Sequence, residues 1–357
     1  MEGTCTGKKN GPLHLNIRIK EDEDPHNSIM KLLRILRPQW RIEDIKKKVF
    51  TEGTTNQLTA CYTGCLRSSD DVVLVRVYGN MTDLYLDRRK EIEILHILHE
   101  HSCGPKLYCS FENGICYEFL QGIALDNKLL REPLVYRLIA EEMAKIHTIK
   151  PRDGSRPQAF LWTKMAHFLQ LVQDSENDEM PSSLRLPETT SVEALRNEMH
   201  ELKRRLGPVY SPTVLCHNDL SPANIIYNDT KGTVKFIDYE YGDFNYQAFD
   251  IANLFNEYAG LTDTDYSRYP SVELQMDWLT AYLRRYESCS GTDTIVSEHD
   301  VKNLYITVCK FNLASHFFWG LWAVIQARHS DINFDFMRYA NARFERYFEM
   351  KEEYFDM

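Results

Sequence analysis

The feature of this chain that most restricts its fold is a change of sequence pattern near residue 120. Before that point, short runs rich in β-branched residues, such as residues 71–79 (DVVLVRVYG), are bounded by turn residues, and only residues 29–40 and 86–101 have the apolar spacing of a helix. Asn113-Gly114 between two apolar runs indicates a hairpin. Beyond residue 127, segments with helical spacing dominate. A strand-rich part followed by a helix-rich part predicts an α+β fold.

The length of the chain favours two lobes over one. It has 357 residues, whereas a single hydrophobic core usually stops growing near ~250–300 residues. We expect a flexible leader over residues 1–28, a small β-rich N-terminal lobe over residues 29–120, and a larger, mainly helical C-terminal lobe over residues 121–357. Ligands commonly bind in the cleft that such a layout provides.

The composition argues against several classes of partner. A formal net charge of −10 does not provide the basic face that binding to nucleic acid or to anionic lipid requires. The most apolar run, residues 311–327, is shorter than the ~18–20 residues that cross a bilayer, and we expect it to be a buried helix. Nine single cysteines and the lack of an apolar signal segment in residues 1–28 favour a cytoplasmic protein with no integral membrane segment.

Residues 214–228 (VLCHNDLSPANIIYN) contain the pattern H-x-D-x-x-x-x-N directly after an apolar run. Phosphoryl transfer requires a carboxylate that accepts a hydrogen bond from the attacking hydroxyl, and oxygen ligands for Mg²⁺. Asp219 suits the first role, whereas Asn224 and Asp238, at the end of the apolar run VKFID, suit the second. A lone aspartate is more often a turn or cap residue. The combined spacing favours a phosphotransfer site.

A second group of candidates lies in the strand-rich part. Arg76 occupies an otherwise apolar strand and requires a partner if it points inward, and Glu91 near the start of the next helix is the obvious one. Protein kinases use a lysine on a strand and a glutamate on a helix in the same way. The alternative is a strand-edge arginine that faces solvent. Upstream, Gly53, Thr54, Thr55 and Asn56 form a turn that could hold nucleotide phosphates, although this turn has a single glycine and is a weak motif.

Aromatic and acidic residues near the C-terminal end suggest the acceptor site. Trp319 and Trp322 are three residues apart on one helix face, and Phe334 and Tyr339 follow. With the residues Tyr241, Asp250 and Glu257, they would form an aromatic–acidic pocket that suits an organic ammonium. From spacing alone, the better interpretation is that these aromatic residues belong to the core.

The sequence resembles the choline/ethanolamine kinase family from about residue 29 to about residue 350. Two segments carry most of the resemblance, LCHNDLSPANIIYN (215–228) and FIDYEYGDFNYQAFDIANLFNEYAG (236–260). Three shorter ones are also similar, namely VVLVRVYGN, GPKLYCSFENGICYEFLQG and LASHFFWGLWAVIQA. Tyr258 follows Glu257, where the choline branch tends to have tryptophan, so the sequence looks most like the ethanolamine branch.

The resemblance implies a protein-kinase-like two-lobed fold, ATP and Mg²⁺. By the family pattern, Asp219 resembles the catalytic base, Asn224 and Asp238 the metal ligands, and Arg76 with Glu91 the phosphate-holding pair. The aromatic residues and Glu257 match positions that line the amino-alcohol pocket of the family, which reverses their interpretation as core.

The implied reaction is phosphorylation of ethanolamine to phosphoethanolamine, the first step of the CDP-ethanolamine route to phosphatidylethanolamine. Three alternatives stay open at this point. The first is a choline kinase or a dual choline/ethanolamine kinase, and the second is a phosphotransferase of the same fold that acts on an antibiotic or another small molecule. The third is a non-catalytic binding protein with a kinase fold. A homodimer is a further expectation.

Overall fold

The structure is a computed structural model that describes residues 13–19, 25–50, 56–66, 71–79, 86–176, 181–291, 294–330 and 332–357. The chain divides into two compact units. The first comprises residues 1–84 and 95–121, and the second comprises residues 85–94 and 122–357.

The first unit is built on a six-stranded sheet with the order β1-β5-β6-β4-β3-β2. Its strands are β1 (His14–Leu15), β2 (Ile45–Phe50), β3 (Asn56–Thr63), β4 (Val72–Tyr78), β5 (Leu107–Phe111) and β6 (Gly114–Glu118). Neighbouring strands are antiparallel except for β1, which runs parallel to β5. Residues 14 and 15 therefore pair with the sheet, although they lie in the segment expected to be a leader. A two-residue strand is too short to leave a periodic pattern in the sequence.

The turn between β5 and β6 confirms the hairpin that Asn113-Gly114 predicts. A Cβ atom at position 114 would lie 2.1 Å from the carbonyl oxygen of Arg76 on β4, so only glycine fits there. The side chain of Asn113 exchanges two hydrogen bonds with the backbone of Ile19, at 3.0 and 2.8 Å. This turn thus joins the hairpin both to β4 and to the segment that follows β1.

One face of the sheet is covered by helix α1 (Pro25–Leu36). This helix buries Ile29, Leu32 and Leu33 against Val73 and Val75 of β4. It begins and ends earlier than the predicted span of 29–40, and it stops two residues before Pro38, since a proline disfavours helical geometry in the residue before it. Helix α2 (Arg88–Glu100) confirms the predicted helix of residues 86–101, and its residues are shared between the two units.

The second unit is mainly helical. Its helices are α3 (Pro133–His147), α4 (Leu161–Asp174), α5 (Val192–Leu206), α6 (Gln247–Glu257), α7 (Val272–Ser290), α8 (Glu298–His329) and α9 (Phe336–Asp356). Its strands are β7 (Ile123–Ala124), β8 (Thr213–Cys216), β9 (Ile225–Asn228), β10 (Thr233–Phe236) and β11 (Asp243–Tyr246). They form two small antiparallel sheets, β10-β9-β7 and β11-β8.

Helix α8 is the centre of this unit and packs against α4, α6, α7 and α9. Every residue from 311 to 326 is buried, which confirms the predicted buried helix. Its start is a capping box, in which Ser297 and Asp300 exchange side-chain and backbone hydrogen bonds. A Cβ at Gly320 would lie 2.7 Å from the ring of Phe344, so the missing side chain permits the close approach of α9. Among the described residues, no helix is long and apolar enough to cross a membrane.

Candidate active site

The H-x-D segment follows β8 in a loop that Asp250 holds in place. The carboxylate of Asp250 accepts hydrogen bonds from the backbone N–H groups of His217 (2.9 Å) and Asn218 (2.6 Å), and it lies 3.1 Å from Nε2 of His147. Asn218 has a φ of +67°, a geometry that non-glycine residues rarely adopt. Its side chain compensates by donating to the carbonyl oxygen of Tyr241 (2.9 Å). Asp250 therefore lies beneath the loop, and both of its carboxylate oxygens accept hydrogen bonds from other groups of the protein.

His217 orients the same loop. Its Nε2 lies 2.8 Å from the carbonyl oxygen of Ile237 and must donate to it, so Nδ1 accepts from the backbone N–H of Asp219 (3.3 Å). Burial lowers the pKa of His217, which keeps the ring neutral and preserves this arrangement. With both ring nitrogens engaged, His217 has no free group for chemistry.

Asp219 is half-buried and stands among other carboxylates. Burial raises its pKa well above the usual range, and the negative charges of Glu257, Glu240, Asp238 and Asp250 raise it further. A carboxylate in such surroundings attracts both protons and cations. This is the electrostatic setting expected of a group that accepts a proton from a substrate hydroxyl.

Asn224 and Asp238 are brought together by the pairing of β9 with β10. The backbone N–H of Ile237 donates to the carbonyl oxygen of Asn224 (2.9 Å), which extends the ladder by one residue and places Asp238 directly beyond it. The amide nitrogen of Asn224 donates to the carbonyl oxygen of Asp219 (3.1 Å), so its amide oxygen is left for another partner. Asp238 has a φ of +65°. An amide and a carboxylate oxygen are the ligand types that Mg²⁺ prefers, so these residues fit the predicted metal.

The predicted pair of Arg76 and Glu91 divides between the two units. Arg76 is buried in β4, opposite Leu58 on β3 and Ile115 on β6. Glu91 is buried in α2 and belongs to the second unit. Their pairing stays a prediction. Of the predicted phosphate turn, Gly53, Thr54 and Thr55 lie outside the described residues, whereas Asn56 is the first residue of β3.

The start of α2 holds the segment after Asp238 through two ion pairs that the sequence analysis missed. Nη1 of Arg88 lies 3.1 Å from a carboxylate oxygen of Glu91 and 3.1 Å from one of Glu240. Lys90 pairs with Asp243 at 2.5 Å. Basic residues are unfavourable in the first turn of a helix, so their presence there was a signal that they have partners elsewhere.

The aromatic candidates form a continuous row of edge-to-face ring contacts. Trp319 lies between Tyr241 and Trp322, with ring centroids 5.3 Å apart in both pairs. The row continues through Phe336 (5.7 Å from Trp322) to Phe334 (4.8 Å from Phe336) and then Tyr339 (6.1 Å from Phe334). The structure therefore brings together all the predicted aromatic residues of the pocket, and it adds Phe336.

Glu257 links this row to Asp219. It is the last residue of α6, and its carboxylate pairs with Arg343 of α9 at 3.4 Å. Burial raises the pKa of Glu257, and Arg343 opposes that rise. Charge interactions connect Glu257 both to Asp219 and to the hydroxyl of Tyr339. A carboxylate beside aromatic rings is the arrangement that binds an organic cation. Here it lies close to the candidate base.

Comparisons with known proteins show which proteins this chain is similar to. The choline/ethanolamine kinase family model matches residues 48–348. Ethanolamine kinase 1 of Mus musculus is 48% identical over 341 residues, which cover 96% of this chain and 93% of that protein. The probable ethanolamine kinase of Nematostella vectensis is 38% identical, with coverage of 96% and 98%.

Two solved structures share the fold. Plasmodium vivax ethanolamine kinase has a TM-score of 0.78 and 28% identity, and the match covers 94% of this chain and 98% of that one. Choline kinase from Cryptosporidium parvum has a TM-score of 0.75 and 24% identity, with coverage of 92% and 96%, which supports the fold alone.

The fold and the similar structures define a kinase-like α+β phosphotransferase, which confirms the predicted fold class. Within this class, the chain belongs to the choline/ethanolamine kinase family. The family resemblance found in the sequence is therefore confirmed.

Proposed function

We propose that the protein is an ethanolamine kinase, which transfers the γ-phosphoryl group of ATP to the hydroxyl of ethanolamine. The observation that carries the proposal is the charge interaction that connects Asp219, Glu257 and the hydroxyl of Tyr339 at the end of the aromatic row. This arrangement provides a base for a hydroxyl and an acceptor for an ammonium a short distance away, as a small amino alcohol requires. The 48% identity to ethanolamine kinase 1 of Mus musculus over nearly the whole chain supports the same substrate.

In this mechanism, Asp219 accepts a hydrogen bond from the substrate hydroxyl and aims its oxygen at the γ-phosphorus. As the new P–O bond forms and the bond to ADP breaks, the hydroxyl proton passes to Asp219. The raised pKa of Asp219 favours this transfer. Because the transition state is largely dissociative, most of the effect comes from positioning.

Asn224 and Asp238 would hold Mg²⁺ through their side-chain oxygens. Held there, the metal would supply positive charge that offsets the negative charge of the phosphates. Asp250 and His217 hold the backbone of the loop through hydrogen bonds. The side chain of Asn224 donates a hydrogen bond to the carbonyl oxygen of Asp219, so the distance between these two residues is fixed as well.

The rest of the nucleotide site is assigned by the family pattern. Arg76, paired with Glu91, would hold phosphates that are not transferred. The turn containing Gly53, Thr54 and Thr55, followed by Asn56, would donate hydrogen bonds to the same phosphates.

The ammonium of the substrate would lie between Glu257 and the row formed by Tyr241, Trp319, Trp322, Phe334 and Tyr339. One carboxylate oxygen of Glu257 bonds Arg343, and the other has no hydrogen-bond partner within the described part of the chain. A primary ammonium can donate to that oxygen, whereas a quaternary ammonium has no N–H group to do so. The aromatic row suits either cation, so a dual choline/ethanolamine kinase is the second candidate.

A coupled assay of ADP release with ethanolamine and choline side by side tests the proposal. We expect kcat/KM to be at least about tenfold higher for ethanolamine, the value of one hydrogen bond to a charged group. Equal or higher kcat/KM for choline would contradict the ethanolamine assignment. Ethanolamine binding in calorimetry without any ADP release would instead favour the non-catalytic alternative.

The expectations of a cytoplasmic location and of a homodimer remain predictions. Light scattering coupled to size-exclusion chromatography measures the mass of the protein in solution, and 41.9 kDa corresponds to one chain. Fractionation of cells that express the tagged full chain tests its location.

A further inference from the structure

A buried arginine connects the two groups that the proposed function assigns to the substrate ammonium. Arg343 lies in α9 and is 2% exposed. Its Nη1 lies 3.4 Å from a carboxylate oxygen of Glu257, and its Nη2 donates to the hydroxyl of Ser315 on α8 (3.2 Å). Its guanidinium also stands over the ring of Tyr339, 5.5 Å from the ring centroid. One side chain thus contacts the carboxylate, an aromatic residue of the row and the central helix.

The hydrogen bonds continue from Ser315 to the aromatic row. The Ser315 hydroxyl donates to the amide oxygen of Asn253 on α6 (3.0 Å). The indole N–H of Trp319 donates to the same amide oxygen (2.6 Å). These hydrogen bonds run from Arg343 through Ser315 to Asn253 and from Trp319 to the same Asn253 oxygen. The network therefore joins Glu257 to Trp319 through side chains of α6, α8 and α9.

The charges around Glu257 show why a cation is needed there. Besides Arg343, the titratable and charged groups that face this region come from four elements: Asp219 from the loop after β8, Tyr266 from the turn after α6, His316 from α8, and Tyr339 and Arg346 from α9. Burial and nearby positive charge keep His316 neutral, since its pKa lies well below the usual value. Asp219 and Glu257 repel one another, and Arg343 is the cation in contact with Glu257 among the described residues.

We propose that Arg343 is a positioning residue for the reaction. It keeps Glu257 ionised and, through Ser315 and Asn253, fixes the orientation of Trp319 relative to Glu257. The inference rests on the proposed function, because it concerns how the ammonium end of the substrate is held. The alternative is a purely structural role, in which Arg343 only stabilises the packing of α9 against α6 and α8. A purely structural role would change stability without changing how substrate binding depends on pH.

The test compares KM for ethanolamine in wild type and Arg343→Gln between about pH 6 and pH 8.5, where the substrate ammonium keeps its proton. Ethanolamine binds the ionised form of Glu257, so KM rises as pH falls through the pKa of that group. Loss of Arg343 raises this pKa, so the rise begins at a higher pH. At pH values below the Glu257 pKa of both proteins, each unit by which the substitution raises that pKa multiplies the ratio of the variant KM to the wild-type KM by about ten.

Three further variants separate the parts of the proposal. Glu257→Gln should remove the effect, so that adding Arg343→Gln to it does not change the pH dependence of KM. Arg343→Lys keeps the charge but cannot bond Glu257 and Ser315 with one planar group, so we expect a smaller shift in the same direction. Ser315→Ala leaves the ion pair intact but removes the link from Arg343 to the Asn253 amide that holds Trp319, and we expect KM to rise severalfold with an unchanged pH profile.

The outcomes distinguish this inference from the proposed function. If wild type phosphorylates neither ethanolamine nor choline, the proposed function fails. If wild type phosphorylates ethanolamine but Arg343→Gln changes KM by a factor that is the same at every pH, only the role of Arg343 fails. Should Arg343→Gln not fold, as judged by circular dichroism, the lysine variant decides, because a KM profile identical to wild type in both Arg343→Lys and Ser315→Ala contradicts the proposal.

Discussion

At the scale of single residues, Asp219 shows how surroundings decide what a carboxylate does. Asp219 and Asp250 lie in the two segments that carry most of the family resemblance, but their pKa values shift in opposite directions. Burial and four neighbouring carboxylates raise the pKa of Asp219. Burial alone would raise the pKa of Asp250 too, but its hydrogen bond and charge interaction with His147 outweigh it, so that pKa is lowered. One acid is therefore suited to accept a proton, and the other stays ionised to hold the backbone.

The first prediction concerns Asp219→Asn. Asparagine keeps the shape of the side chain but does not accept the hydroxyl proton, so we expect kcat to fall roughly a thousandfold, with little change in the melting temperature. Asp229→Asn, at an exposed aspartate in the turn between β9 and β10, is the matched control and should keep wild-type kcat. Near wild-type turnover by Asp219→Asn would show that another group positions the hydroxyl.

The second prediction concerns Asp250→Asn. The change removes the negative charge of a side chain that accepts hydrogen bonds from two backbone N–H groups. We therefore expect the free energy of unfolding to fall by about 3 kcal/mol at neutral pH. The folded-state pKa of Asp250 is depressed. Its stabilisation is therefore present above the unfolded-state pKa, near ~4, and is lost as pH falls through the folded-state value. Urea unfolding at several pH values should show the wild-type advantage shrinking in acid, and a constant advantage would refute this account.

At the scale of elements, the start of α2 acts as a support for the segment that carries Asp238. Arg88 pairs with Glu240, two residues beyond Asp238, and Lys90 pairs with Asp243. Glu240 lies in the turn between β10 and β11, and Asp243 is the first residue of β11. The turn has a positive φ at Asp238, a strained geometry that the ion pairs to the helix help to hold.

The third prediction concerns Arg88→Gln. It leaves the buried carboxylates of Glu91 and Glu240 with one cation fewer, so we expect stability to fall by about 2 kcal/mol and kcat to fall about tenfold. Arg89→Gln, at the exposed next residue, is the matched control. Chemical unfolding and steady-state kinetics measure both effects. Equal behaviour of the two variants would mean that α2 does not support the turn.

At the scale of the whole molecule, the proposal divides the reactants between the compact units. Arg76 belongs to the first unit and is assigned to the nucleotide, whereas the aromatic row belongs to the second. Variants in each unit should therefore affect different substrates.

The fourth prediction tests this division. Arg76→Gln removes a cation assigned to phosphates, and we expect KM for ATP to rise about tenfold with little change in KM for ethanolamine. Trp322→Leu keeps apolar volume but removes an aromatic face, and KM for ethanolamine should rise about tenfold with little change for ATP. Each variant serves as the control of the other. Parallel changes in both KM values would contradict separate roles.

Much of this arrangement was visible in the sequence because it depends on local patterns. Short stretches of sequence are enough to recognise the apolar runs, the turn residues and the spacing of Asp219, Asn224 and Asp238. The pairing of Asn224 with Ile237 follows from one short hairpin. The aromatic residues were assigned to one group only with the family pattern, since spacing alone does not distinguish a pocket from a core.

Other features were decided by the tertiary structure alone. The contacts of Asp250 beneath the loop, the ion pair of Arg88 with Glu240 and the network from Arg343 to Trp319 join residues that lie 28 to 152 positions apart in the chain. No local pattern encodes such a partner, because which charge becomes buried and which acid keeps its proton depend on the groups that packing brings near. The sequence by itself determined the class of fold and the residues available for chemistry. Packing determined their ionisation, their partners and their geometry.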